Sequence, residues 1–506
     1  MSGTAPPADP AERFGGRTPV GGRTLRELTA RGTVVNAIFQ VGVVTLGLLR
    51  GLVVAALLTV SDYGIWGILT ITLMSLAFLK QVGIADKFIQ QSDGDQEMAF
   101  RRAFTLELMV CGAFVVLCGV LLPLLAVVYG QPRIVAPGLA LALALGLGAL
   151  QAPLWIFVRR MQFGRFRALQ SVDPLVAFVV TVALAALGGG YWSLVVGTLA
   201  GAGAGAVVAL ASSPYPIGLS FDRSAAREYV SFSWPLLLAG GTTIIVAQGS
   251  IIVAEAELGL VAAGAITLAV TLAQYSDRVD ETITSSLYPA ICAVRERKDL
   301  MLESFVKSNR LALMWAMPFG AGVSLFAADL VHHVLGDKWE PAIVLLQVFG
   351  ITAAVGHIGF NWTAFYRARG DTRPIAVWSI AGMLTFLAAA IPLLITNGLG
   401  GFAAGIAVMT GVSLAVKAYY LARLFTPGVV LRQALRACAV SLPAVLAVLG
   451  VRVAEGPGKS AAGALVELVL YVGVTALATL VLERKLLREM LSYLRGLSAP
   501  RTHPAH

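Results

Sequence analysis

The chain has 506 residues, of which 57% are hydrophobic and only 13% charged, with a mean hydropathy of +0.80. Soluble domains carry roughly a quarter charged residues, so a soluble multidomain protein is excluded: this little charge cannot cover a water-facing surface. Lys and Arg outnumber Asp and Glu by 38 to 28, a balance that on a soluble protein suggests nucleic acid but on a membrane protein records orientation.

Residues 1–32 hold Gly, Pro and five arginines without an apolar core. They read as a disordered basic cytoplasmic tail, with no cleavable signal peptide. A helix crossing the hydrocarbon layer needs about 20 mainly apolar residues. That window predicts spans near 33–59, 63–83, 103–128, 134–157, 172–188, 191–212, 232–254 and 258–277. It predicts six more near 311–332, 341–366, 374–396, 399–422, 434–452 and 461–483. The runs lack the alternation of a lipid-facing barrel. The expected fold is therefore an all-α polytopic membrane protein of about fourteen transmembrane helices. Small-residue strings such as GAGAGAVVALA (201–211) let such helices approach closely.

Basic residues then fix a direction. With the N-terminus inside and strict alternation, 32 of the 38 Lys and Arg fall on the cytoplasmic side. Arg133, Lys338, Arg452 and Lys459 fall outside, and Arg50 and Lys417 fall within spans. Both termini are expected in the cytoplasm.

Features recur about 200 residues apart: FVRRMQF (157–163) with FYRARGD (365–371), Tyr129-Gly130 with Leu335-Gly336, and GGGYW (188–192) with NGLGG (397–401). Six spans plus six in one orientation read as a parallel pseudo-repeat about an axis along the membrane normal. The expected organisation is an N-lobe over 33–212, a cytoplasmic linker over 213–231 and a C-lobe over 232–422. Two extra helices follow over 423–483, then a cytoplasmic tail over 484–506. Two six-helix lobes facing each other enclose a central cavity.

A charge at mid-bilayer costs at least about 2.5–3.5 kcal/mol on insertion scales. Arg50 sits deep in the first span and shares a helix face with Asn36 and Gln40. Two readings stand: a cation lining a cavity, or an arginine that snorkels to the interface. The shared polar face favours the first. Lys417, near the inner end of span 12, fits either. His357 and Asn361, at i and i+4 on span 10, suit helix–helix hydrogen bonds, and Glu107 and Glu467 lie near enough to span ends to reach the interface. Lys80 and Asp280 occupy matching positions on polar extensions of spans 2 and 8, which line a cavity mouth or are solvated helix ends. Cys111, Cys118, Cys292 and Cys438 form no disulfide or metal pattern. No catalytic motif, phosphate cradle or metal-ligand cluster emerges, so neither enzyme activity nor a cofactor is expected.

Further motifs carry a resemblance. They are Leu58-Thr59-Val60-Ser61-Asp62-Tyr63-Gly64-Ile65-Trp66-Gly67, FVRRMQFGRF (157–166), GGGYWSLVVG (188–197) and REYVSFSWPLL (227–237). The stretches LYPAICAVRERKDLMLESFVKSNRLALMWAMPF (287–319) and LGDKWEPAIVLLQVF (335–349) are the most specific. In this order over residues 30–480 the chain resembles the bacterial lipid-linked oligosaccharide flippases of the multidrug/oligosaccharidyl-lipid/polysaccharide exporter superfamily. The resemblance implies a transporter of the inner membrane that flips undecaprenyl-pyrophosphate-linked oligosaccharides for O-antigen, capsule or exopolysaccharide synthesis by alternating access. It implies cavity walls from spans 1, 2, 7 and 8, and a polysaccharide polymerase and chain-length regulator as partners besides the lipid bilayer, with no nucleic acid. Many relatives carry an Asp midway along span 7, where this chain has Gln248-Gly249-Ser250. The expected substrate contacts are Arg50, Lys80, Arg278 and Lys417 for the pyrophosphate head group and Asn36, Gln40 and Gln248 for sugar hydroxyls, with Asp280 at the mouth. A cation-coupled drug exporter would want an acidic cavity, and a membrane-embedded polymerase or glycosyltransferase a large outer loop. Neither is present.

Overall fold

Every apolar run of the sequence contains helix, and among the described residues there is no strand. The computed structural model describes residues 25–77, 84–90, 95–160, 162–222, 241–277, 287, 291, 297–369, 371, 373–425, 427–455, 460–484 and 486–488. The first half holds α1 (Leu25–Leu57), α2 (Val60–Ala77), α3 (Gln96–Val128), α4 (Val135–Leu147), α5 (Val172–Ala186) and α6 (Tyr191–Ala211). The second holds α7 (Gly241–Leu258), α8 (Leu260–Ala273), α9 (Lys298–Leu325), α10 (Ile343–Gly356), α11 (Arg373–Thr385) and α12 (Ile391–Leu424). Two further helices follow, α13 (Leu442–Glu455) and α14 (Ala461–Leu482).

The chain is an all-α multi-pass membrane protein. Among the described residues nine helices are long and apolar enough to span a bilayer, or ten with the bent pair Lys298–Leu325 and Ala327–Leu335 taken as one. The expected fourteen is not reached by that measure. The apolar parts of α1 and α13 are short, Val41–Leu57 and Leu442–Ala454, and α11 and α12 run on as one helical stretch, Arg373–Leu424. The backbone nonetheless breaks at Gly398, with φ 64° and ψ −148°. Gly190 adopts almost the same angles, 54° and −145°, at the start of α6. A side chain is strained there, so the two glycine-rich turns matched in sequence share one conformation. On α3, Val116, Val120 and Leu124 form an exposed apolar ridge at i, i+4 and i+8, as a lipid-facing side requires.

Local signals set the ends. Thr59 and Asp62 make a reciprocal cap: Thr59 Oγ1 donates to Asp62 Oδ2 at 2.6 Å, and Asp62 N–H returns to Thr59 Oγ1 at 3.1 Å. Asp95 caps α3 by accepting from the N–H groups of Glu97 and Met98.

The two halves meet most closely where α2 crosses α8. A methyl group on Gly64 would stand 2.2 Å from the Leu260 carbonyl oxygen, and one on Gly264 would stand 2.1 Å from that of Val60. Only hydrogen fits at either place. On the face where odd-numbered helices end, the LGDKW segment of the second half closes the end of α1. Lys338 Nζ donates to the carbonyls of Ala56 and Leu58, and buried Trp339 donates to that of Ala55 at 2.8 Å. These carbonyls lack helical partners, so the specific motif is a helix cap supplied from 280 residues away. The same face carries Tyr129 Oη donating to Gln248 Oε1 and Gln131 Nε2 donating to Glu255 Oε1. One side of the molecule is thus stitched shut between halves.

Candidate functional site

Two sets of cavities lie away from that closed face. The first surrounds Arg50. A pocket of about 180 Å³ is lined by Val43, Gly47, Arg50, Pro174 and Tyr275. It shares Val43 and Pro174 with a neighbour of about 360 Å³ that adds Gln151, Arg167, Gln170 and Asp173. Arg50 Nη2 donates to Thr198 Oγ1 on α6 at 3.2 Å, while its buried Nε has no partner among the described residues. A guanidinium has five donors in a fixed fork, so among the described residues this one keeps at least its Nε–H unspent in a largely apolar span. Gln151 donates to Asp173 at 3.1 Å and Arg167 to Gln170 at 2.7 Å, which gives the pocket a second cation on a polar wall.

The second is a cavity of about 880 Å³ among α8, α10, α11 and α12. Its lining includes Gln274, Asp277, His357, Asn361, Trp362, Arg367, Trp378 and Lys417. It exists because α10 stops at Gly356. The chain then turns through 357–361, with Gly359 at φ 74° and Asn361 at φ 65°, before helix resumes at Trp362. His357 and Asn361 therefore do not sit a helical turn apart, contrary to the expectation for a continuous span 10. The His357 ring reaches the Ala353 carbonyl at 2.6 Å and Asp277 at 3.2 Å. Asn309 Nδ2 donates to the His357 carbonyl at 3.0 Å.

The expected site residues divide accordingly. Arg50 lines a pocket and does not snorkel to the surface. Lys417 is buried; its Nζ donates to the carbonyls of Gly356 at 2.6 Å and Ile358 at 3.0 Å, so it secures the break while also lining the larger cavity. The Gln248 side-chain carbonyl is occupied by Tyr129. Asn36 and Gln40 lie on the backbone of α1, with their side chains outside the described residues. Lys80, Arg278 and Asp280 are outside the described residues altogether. Arg50, on span 1, faces Tyr275 at the end of span 8 and, beyond the implied walls, α5 and α6, while α2 and α8 are packed on each other. Thus the structure brings Arg50 beside Tyr275 and, through a shared wall, towards Arg167; it does not bring Arg50 to Lys417.

Two expectations are corrected. Glu467 does not reach the interface and Arg452 is no loop cation. Arg452 donates to Glu467 at 2.9 Å, to Asp329 at 2.6 Å and to the Leu325 carbonyl at 2.9 Å. Three apolar segments hide that cluster, since each shows a single charge at its end. Glu483, fully buried, pairs with Arg310. Arg159 of FVRRMQF donates to the Phe88 carbonyl at 2.9 Å, a structural use of that motif. Arg167 was missed; its signal is a short polar helix, Phe163–Gln170, directly following that motif. Among the described residues no three His, Cys, Asp or Glu side chains could hold a metal.

The sequence profile described as "Polysaccharide biosynthesis protein" matches residues 53–344. Lipopolysaccharide biosynthesis protein WzxC of Escherichia coli (strain K12) is 24% identical over 355 residues, covering 66% of this chain and 69% of WzxC. Succinoglycan biosynthesis transport protein ExoT of Rhizobium meliloti (strain 1021) is 22% identical over 352 residues, 66% of this chain and 70% of ExoT. The solved structure of lipid II flippase MurJ in an inward closed conformation superposes with a TM-score of 0.61 at 11% identity. It covers 90% of this chain and all of that one, a likeness of fold.

Proposed function

The chain belongs to the polysaccharide biosynthesis protein family, and from that membership we propose that it flips undecaprenyl-pyrophosphate-linked oligosaccharides across the bacterial inner membrane. The observation that carries this is Arg50. A cation in mid-span needs a reason, and among the described residues its side-chain partner is a threonine hydroxyl. A pyrophosphate would supply charge-assisted, bidentate contacts to such a fork. Arg167 on the adjoining wall is a second cation within the same pair of pockets. The polyprenyl tail needs no site of its own chemistry and stays in lipid.

In this reading the two halves, an N-lobe over 33–212 and a C-lobe over 232–422, rock against each other, and both termini face the cytoplasm. Closure on the face of Lys338 and Trp339 supports an inward-accessible state. Asn36, Gln40, Lys80, Arg278 and Asp280 belong to the path by position, and polymerase and chain-length proteins take the product outside. The protein works as a transporter, without chemistry of its own.

Arg50→Ala should abolish surface polysaccharide while leaving the amount of protein in the membrane unchanged, because among the described residues Arg50 contributes one long hydrogen bond to the fold. Export and membrane level are read in a deletion strain complemented with each variant. Full export by Arg50→Ala would remove Arg50 from the mechanism.

A further inference from the structure

The short turn Gln274–Asp277 after α8 stands between the two cavity systems. Tyr275 lines the Arg50 pocket, while Gln274 and Asp277 on either side of it line the large cavity. One turn therefore serves two compartments of different chemistry. The Arg50 side offers unspent cationic donors. The other offers Trp378, whose indole Nε1 is buried with no partner among the described residues, beside the amide of Gln274 and the carboxylate of Asp277.

The chemistry of the larger cavity suits two parts of the substrate less well than the third. A polyprenyl chain would strand the Gln274 amide and the Trp378 indole N–H away from water. For a pyrophosphate the wall is mixed: Asp277 stands on it with Arg367 and Lys417, and the Lys417 ammonium already sits on two carbonyls. A sugar fits: its hydroxyls both donate and accept, so they pair with amide, carboxylate and indole N–H at once, and its C–H faces pack on an aromatic ring. Trp378 stands edge-on to Trp362, with centroids 6.1 Å apart, so an aromatic corner is present. The volume of about 880 Å³ lies within the roughly 300–1,000 Å³ of small-ligand sites.

We propose that the cavity between α8, α10, α11 and α12 is a saccharide-binding subsite, taking the sugars of the lipid-linked oligosaccharide while its pyrophosphate lies at Arg50 across the Gln274–Asp277 turn. This assignment rests on the flippase reading and divides its substrate between the two halves of the chain.

The test uses full-length protein in nanodiscs and two probes. One is farnesyl pyrophosphate, which has no sugar; the other is the lipid-linked saccharide fraction extracted from cells deleted for this protein. Wild type should bind the saccharide fraction at least tenfold more tightly than farnesyl pyrophosphate. Trp378→Ala should erase that difference and leave farnesyl pyrophosphate binding unchanged, while Arg50→Ala should weaken both. If Trp378→Ala fails to fold, judged by membrane level and gel filtration, Gln274→Leu and Trp378→Phe carry the same comparison. Retention of tight saccharide binding by these variants overturns the subsite alone, as does an equal loss for both probes. Binding of neither probe by wild type overturns the flippase reading and the subsite together.

Discussion

Arg452 and Arg50 are both arginines held by apolar helices, and they are held in opposite ways. Arg452 meets two carboxylates and a carbonyl, one partner for each of its three nitrogens. Arg50 meets one hydroxyl and leaves Nε without a partner among the described residues. A buried charge with a partner for every nitrogen is part of the scaffold. One with a nitrogen left over is, in the proposed reading, open to a ligand. The inventory of partners, more than depth, separates the two roles.

The largest expected effect tests the scaffold side. Arg452→Ala leaves Asp329 and Glu467 buried without their cation, a change that costs about 3–5 kcal/mol. The folded protein should largely disappear from membranes, as read by thermal unfolding in detergent. Replacing the whole cluster, with Arg452→Met, Asp329→Asn and Glu467→Gln together, should recover much of that loss. Equal stability of Arg452→Ala and wild type would erase the contrast with Arg50. Next comes Lys417→Met, which strands the carbonyls of Gly356 and Ile358 and should cost about 1–3 kcal/mol. If its melting point is unchanged and only transport falls, Lys417 belongs with Arg50 and not with Arg452. The smallest change is Thr198→Val, which removes the side-chain partner that Arg50 has among the described residues. Stability should move by under about 1.5 kcal/mol, the net worth of a typical hydrogen bond, and export should persist. Loss of export in Thr198→Val would show that Arg50 needs this threonine to aim it.

How much of this was legible in the sequence depended on distance along the chain. Arg50 stood out because its own span was enough to mark it, and the cap formed by Thr59 and Asp62 lay within four residues. The Gly190 and Gly398 turns were visible as glycine clusters at matching positions. The Arg452 cluster was not legible, because its acids lie 123 and 15 residues away, each at the end of an otherwise ordinary apolar run. The break after α10 hid for another reason. Hydropathy continues unbroken from 341 to 366, and only Gly356, Gly359 and Asn361 hint at it, the last as a residue type that tolerates left-handed backbone. The larger cavity depends on that break, so its polar lining was read as helix packing.

The crossing of α2 and α8 carries one more consequence. Gly64 meets the carbonyl of residue 260 and Gly264 meets the carbonyl of residue 60, while Gly67 lies against Thr267. Each contact has a counterpart 200 positions along the chain, the spacing expected of the repeat, and the last joins a position to its own equivalent. That is the arithmetic of an isologous interface, in which residue i touches j and j touches i around a dyad. A single chain here preserves the contact pattern by which two identical subunits would associate, with the dyad passing between Gly67 and Thr267.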